Sequence, residues 1–127
     1  MFAVRSDPGR NRLYLTMAGH LDSAERQAVI KDLMAEAAHL EPGFDIVSDI
    51  SALHPTDEAG FKDLLRAKAA LKLRGSGRVV RVVKIPLSRI QFTRVSEAAG
   101  FDADCVDTVE EADRLLDELR AGTKTGS

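Results

Sequence analysis

The run Val79-Val80-Arg81-Val82-Val83-Lys84-Ile85 constrains this chain more than any other stretch. It is β-branched and nearly continuous in apolar character, the pattern of a central strand covered on both faces. A strand of that kind belongs to an α/β domain, and the neighbouring segments must supply the covering helices.

Those segments follow in order. Phe2 to Arg5 and the alternating Arg12-Leu13-Tyr14-Leu15-Thr16-Met17 flank Asp7-Pro8-Gly9-Arg10-Asn11, whose turn chemistry predicts a hairpin that Gly19 ends. Asp22-Ser23-Ala24-Glu25 reads as a capping box, opening a helix with Ile30, Leu33, Met34 and Ala37 at helical spacing and stopped by Pro42-Gly43. Phe44 to Ile50 is the next strand. A second helix starts near Asp57, keeps Phe61, Leu64, Leu65 and Leu71 on one side, and is closed by Gly75-Ser76-Gly77. Pro86 breaks the valine-rich strand, and Ser88 is placed to cap a third helix through Phe92 and Val95 to Ala99, stopped by Gly100. Cys105-Val106 is a short last strand. Thr108-Val109-Glu110-Glu111 is another capping box, opening a helix through Leu115, Leu116 and Leu119.

The order is β-β-α-β-α-β-α-β-α. Strands separated by helices are parallel with right-handed crossovers, and the first pair is antiparallel, so the expectation is an α/β domain with a mixed sheet of about five strands and packed helices. Residues 1–120 form this single domain, and the small, polar 121–127 reads as a disordered tail. In such sheets, ligands and partners meet the loops at the carboxyl ends of the parallel strands. Ala18 to Asp22, Ser51 to Gly60 and Ile85 to Ser88 share that edge.

Composition narrows the function. The 127 residues, 44% hydrophobic and 30% charged, describe an ordinary globular chain. The lone Cys105 builds neither a disulfide framework nor a cysteine metal site; it reads as a buried small hydrophobe, and a reducing cytoplasm is the expected home. Met1 to Arg5 lacks the apolar run of a signal peptide, and no apolar stretch approaches the ~20 residues that span a bilayer. His20, His39 and His54 lack the paired spacing of a helix-borne metal site, and His39 near the end of the first helix suits terminal carbonyls. No cofactor is expected.

Charge is sorted along the chain. Between Lys62 and Arg94 stand ten basic residues against the acid Asp63; from Glu97 to Glu118 stand nine acids against Arg114. Internal neutralisation between adjacent elements is favoured over a basic face kept for an acidic partner. Nucleic acid is disfavoured by the sparse aromatics and a sequence pI near 5.9. Gly75-Ser76-Gly77 precedes a strand, whereas a phosphate loop opens a helix.

The stretch Asp49-Ile50-Ser51-Ala52-Leu53-His54-Pro55-Thr56-Asp57-Glu58-Ala59-Gly60-Phe61 is the candidate site. As acid–base catalysts, His54, Asp57 and Glu58, with His20 from the neighbouring loop, lack a nucleophile motif and a pocket signature. Asp57 and Glu58 also have a structural purpose, since acids in a first helical turn complement the helix dipole. The chain is therefore not expected to be an enzyme.

Several motifs fall in a telling order. Gly19-His20-Leu21-Asp22 is a glycine-x-aliphatic-aspartate turn after the second strand, and Ile46-Val47-Ser48-Asp49-Ile50-Ser51 is a strand leading to a loop. Asp57-Glu58-Ala59-Gly60, Gly75 to Val83, Ala98-Ala99-Gly100-Phe101 and Thr108-Val109-Glu110-Glu111-Ala112 follow. With these motifs, between Leu13 and Leu119, the chain resembles the STAS domain family, typified by bacterial anti-sigma-factor antagonists. The resemblance implies a non-enzymatic cytoplasmic switch domain that docks on a protein partner, often an anti-sigma factor with a kinase fold. The family phosphorylates the serine or threonine just before the switch-loop glycine, which releases the partner. Here that position is Ala59, which has no hydroxyl, and Glu58 stands where the family often has serine. The implied partner surface comprises Ser51, His54, Thr56, Asp57, Glu58, Ala59, Gly60, Lys62 and Arg66, with Lys68 a further candidate on the exposed face of the second helix and Thr56 or Ser51 as a substitute phosphosite. The alternative that the resemblance leaves open is a STAS-type subunit of a transport system or a domain binding a small apolar ligand. A homodimer is also left open.

Overall fold

The computed structural model describes residues 1–54, 57–83 and 103–125. Strand β1 (Phe2–Asp7) turns at Pro8–Asn11 into β2 (Arg12–Gly19), and the two pair antiparallel from Phe2↔Met17 to Asp7↔Arg12. Asn11 closes the turn at φ 53°, a conformation asparagine tolerates better than most residues. Helix α1 (Ser23–Ala37), β3 (Asp45–Leu53), α2 (Glu58–Leu73), β4 (Val79–Val82), β5 (Ala103–Val106) and α3 (Val109–Thr125) follow. The expected third helix, Ser88 to Ala99, lies outside the described residues, as do Lys84 and Ile85 of the valine-rich run.

The five strands form one mixed sheet in sequential order, β1-β2-β3-β4-β5, with β2 through β5 parallel. Right-handed crossovers between strands laid down in one direction put their helices on one face. Accordingly α1 and α2 cover the same face, over Leu13, Leu15, Met17, Ile46, Ile50, Val79 and Val83. Helix α3 follows the last strand and packs on the other face, with Ala112 and Leu116 buried against Tyr14, Val47, Val80 and Val82. Both faces of β4 are thus covered, as its valines, alternating between the two faces, require.

The capping signals are realised in detail. Asp22 Oδ1 accepts the Glu25 amide at 2.8 Å, and Glu25 Oε1 accepts the Asp22 amide at 3.4 Å. At α3, Thr108 Oγ1 accepts the Glu111 amide, while the Glu111 carboxylate reaches the amide of Asp107 instead of Thr108. Gly75, at φ 92°, ends α2 in left-handed geometry, and its carbonyl accepts the Gly43 amide at 2.6 Å.

Polar residues bind α3 to the sheet. The Arg12 guanidinium, only 1% exposed, donates to Asp113 at 2.7 Å and Asp117 at 3.0 Å, and Tyr14 Oη donates to Asp113 at 2.6 Å. Arg120 Nε donates to the buried Asp45 at 2.8 Å. Burial alone would lower the Arg12 guanidinium, but its bonds to Asp117 and Asp113 outweigh that and hold it above its usual value. Burial and the bond to Asp113 raise the Tyr14 phenol.

Three expectations are corrected. Cys105 is exposed, not buried, because β5 is the edge strand of the sheet. Residues 121–125 continue α3, since Ala121 is a strong helix former and no proline interrupts the run. Internal neutralisation does hold for α3, but its acids Asp113 and Asp117 meet Arg10 and Arg12 of the first hairpin. Two bases of the second helix, Lys62 and Arg66, face Glu58 and Asp63 on their own helix.

Candidate functional site

Strand β3 runs further than its apolar pattern indicates. Beyond Ile50 it continues through Ser51, Ala52 and Leu53, pairing Ala18↔Ala52 and Gly19↔Leu53. Between Thr16↔Asp49 and Ala18↔Ala52, β3 spends one more residue than β2, which makes a bulge. Asp49 supports it, its Oδ1 accepting both the Ser51 amide at 3.1 Å and the Ser51 hydroxyl at 2.7 Å. Ser51 is thereby held in the strand, and the connection to α2 shrinks to residues 54–57. His54 sits exposed at the strand end, its amide donating to Gly19 O at 3.0 Å. Thr56, the substitute phosphosite, lies outside the described residues, as does Pro55.

Asp57 caps α2, its Oδ1 accepting the Gly60 amide at 2.9 Å. Glu58, Ala59, Lys62 and Arg66 are all exposed on the helix, and Gly60 is buried against the core side. Lys62 Nζ stands 3.8 Å from Glu58, and Arg66 stands 3.7 Å from Asp63. Exposed pairs of this kind contribute little to stability, roughly 0.3–0.5 kcal/mol. The structure therefore brings Asp57, Glu58, Ala59, Lys62 and Arg66 onto one element beside His54, while Ser51 is withdrawn into the sheet. Of the residues expected on the inner side, Leu71 is buried and Leu64 packs partly buried on the core, joined there by Ala67, while Phe61 and Leu65 are partly buried.

Beneath this edge lies a cavity of about 80 Å³ between α1, α2 and the sheet. Leu15, Met17, Leu33, Ile46, Leu64 and Leu71 form much of its wall. At its mouth stand the exposed His20 and His54, with the Arg26–Asp63 ion pair, 2.7 Å long, joining α1 to α2. Ser48 and Lys68 line it as well. Burial, together with the charge of Arg81, pushes the Lys68 ammonium down to about 7. Arg81 is 1% exposed and lies beside Ser48 in the sheet register. Burial also lowers Arg81, to about 10, which leaves it a cation at neutral pH.

Arg81 was not among the candidate residues, and Lys68, expected with Lys62 and Arg66 on the exposed face of α2, lines the cavity instead; both left a trace in the sequence. Arg81 interrupts a run of valines at a position facing the helices, and Lys68 falls between Leu64 and Leu71 on the inner stripe of α2. Among the described residues, no group of three or more His, Cys, Asp or Glu side chains is placed to hold a metal ion. No helix among them is long and apolar enough to cross a membrane.

No family model and no curated protein matches the sequence. Solved structures do match the fold. The Bacillus cell fate determinant SpoIIAA in its phosphorylated form aligns with a TM-score of 0.64 at 18% identity, covering 91% of this chain and 99% of that one. The anti-sigma factor antagonist SpoIIAA in its unphosphorylated form aligns with a TM-score of 0.64 at 18% identity, covering 95% and 97%. The sequential mixed sheet, with α1 and α2 on one face and α3 on the other, is the STAS fold of these antagonists.

Proposed function

We propose that this chain is a non-enzymatic, cytoplasmic regulatory module that docks on a signalling protein, in the manner of an anti-sigma-factor antagonist but without the usual phosphate switch. The observation that carries this reading is Ala59, exposed in the first turn of α2 on a fold shared with SpoIIAA. A phosphoserine or phosphothreonine adds about −1.5 to −2 charge and must be esterified to a hydroxyl. Alanine offers none, so docking through this turn is constitutive unless Thr56 accepts the phosphate.

The docking surface in this reading is His54, Thr56, Asp57, Glu58, Ala59, Lys62 and Arg66, with Ser51 holding the strand end and the buried Gly60 behind them. A kinase-fold anti-sigma factor, recovered by affinity capture from the source cell, is the expected partner. Its association is measured against wild type, Ala59→Glu and Arg66→Glu at low and physiological salt. Ala59→Glu should weaken affinity, because it adds volume and charge at the centre of the surface. Arg66→Glu should slow association with the larger effect at low salt, since exposed charges are screened beyond roughly 8 Å at physiological ionic strength. If both variants keep the wild-type affinity and on-rate, the surface lies elsewhere.

A further inference from the structure

The cavity beneath α2 combines two features that serve different parts of one ligand. Much of its wall is aliphatic, and two polar side chains line it besides the Arg26–Asp63 pair and the two histidines: Ser48 from β3 and Lys68 from α2. Lys68 stands about two turns along α2 from Gly60, and the exposed His20 and His54 also border the cavity. A volume of about 80 Å³ is several times the roughly 10–15 Å³ that a single water requires on the same measure, so a ligand of several non-hydrogen atoms fits. We propose that this cavity binds a short aliphatic carboxylate, with its chain against Leu15, Leu33, Ile46 and Leu71 and its carboxylate on Lys68 and Ser48.

The chemistry favours an anion over a neutral or cationic guest. A lysine whose ammonium form is disfavoured by burial gains most from a negative charge brought to it, because the pair is screened little inside the protein. Arg81 adds positive potential from β4. Among the described residues, the other charged or titratable groups bordering the cavity are Asp63 and Arg26, which pair with each other, and the two histidines. A charge-assisted bond to Lys68 and a hydroxyl bond from Ser48 would together fix the carboxylate end. This inference stands on the cavity and is independent of the docking surface on α2.

The full chain is titrated with butyrate, and with butanol as the uncharged counterpart, by heteronuclear NMR. Butyrate should bind saturably and about tenfold or more tighter than butanol, the margin that a charge-assisted hydrogen bond supplies. The preference should vanish in Lys68→Met, which keeps the aliphatic stem. In the wild type, the Lys68 side-chain resonance followed against pH should show a higher pKa at butyrate saturation than without ligand. That second readout needs no variant to fold. Absence of saturable butyrate binding, equal affinity for butanol, or a Lys68 titration unmoved by saturating butyrate would each overturn the proposal.

Discussion

Under α3, the buried guanidinium of Arg12 meets Asp113 at 2.7 Å and Asp117 at 3.0 Å, and Tyr14 completes the set through Asp113. On the opposite face, Lys68 and Arg81 lie in an apolar layer where desolvation dominates, drawing Lys68 down to about 7. Both faces bury cations, but carboxylates stabilise the cation on the α3 face, whereas burial penalises the cations on the cavity face. A closed ion network of the first kind holds an element in place. A cation lining a cavity is poised instead to respond to what enters it.

The largest expected effect comes from breaking the closed network. Asp113→Ala removes the acceptor shared by Arg12, Tyr14 and Arg10 and leaves Arg12 with the half-exposed Asp117. A loss of ~3 kcal/mol is expected, the low end for an uncompensated buried charge. Urea unfolding measures it, and a loss within error of zero would mean that α3 is held by Ala112 and Leu116 alone.

The cavity face should respond in the opposite direction. An unfolded chain keeps Lys68 protonated up to about 10.5, whereas the native protein releases that proton above about 7. Between those values the unfolded state binds more protons, so stability rises with pH; below about 7 both states are protonated and the slope from this group disappears. Lys68→Met should remove that rise and stabilise the protein by ~2 kcal/mol on the acid side of the window. Denaturation curves of both proteins across the window test this, and parallel pH profiles would show that Lys68 carries no burial penalty.

Away from both faces, the effect should be smallest. Asp57→Ala deletes the cap of α2 and the bond to the Gly60 amide, with an expected cost of ~1 kcal/mol. Its pH profile should match that of wild type in the alkaline window where Lys68→Met differs. A change in the Lys68 titration in this variant would mean that the start of α2 and the cavity are coupled.

Much of the fold was legible because its signals are local. The turn at Pro8–Asn11, the boxes at Asp22 and Thr108, and the cap at Asp57 each act over three or four residues, so spacing alone announces them. The valines of β4, alternating between its two faces, announced helices on both. The bulge that draws Ser51 into β3 was not legible, because nothing in Ser51-Ala52-Leu53 specifies its pairing with Ala18 and Gly19; the Asp49 side chain and the neighbouring strand supply it. The exposure of Cys105 likewise depends on β5 being the edge of the sheet, a property of strand order.

By itself, the sequence determined the element types, the parallel crossovers and the absence of a hydroxyl at position 59. Periodicity and capping are properties of neighbouring residues, and a missing atom is a property of one residue. Tertiary structure alone decided which charges meet. Asp113 lies 101 residues from Arg12 and Arg120 lies 75 from Asp45, separations at which only the closing of α3 onto the sheet brings partners within bonding distance. The same closing on the other face set Lys68 and Ser48 around one cavity, because α2 must return across the sheet to begin the next parallel strand.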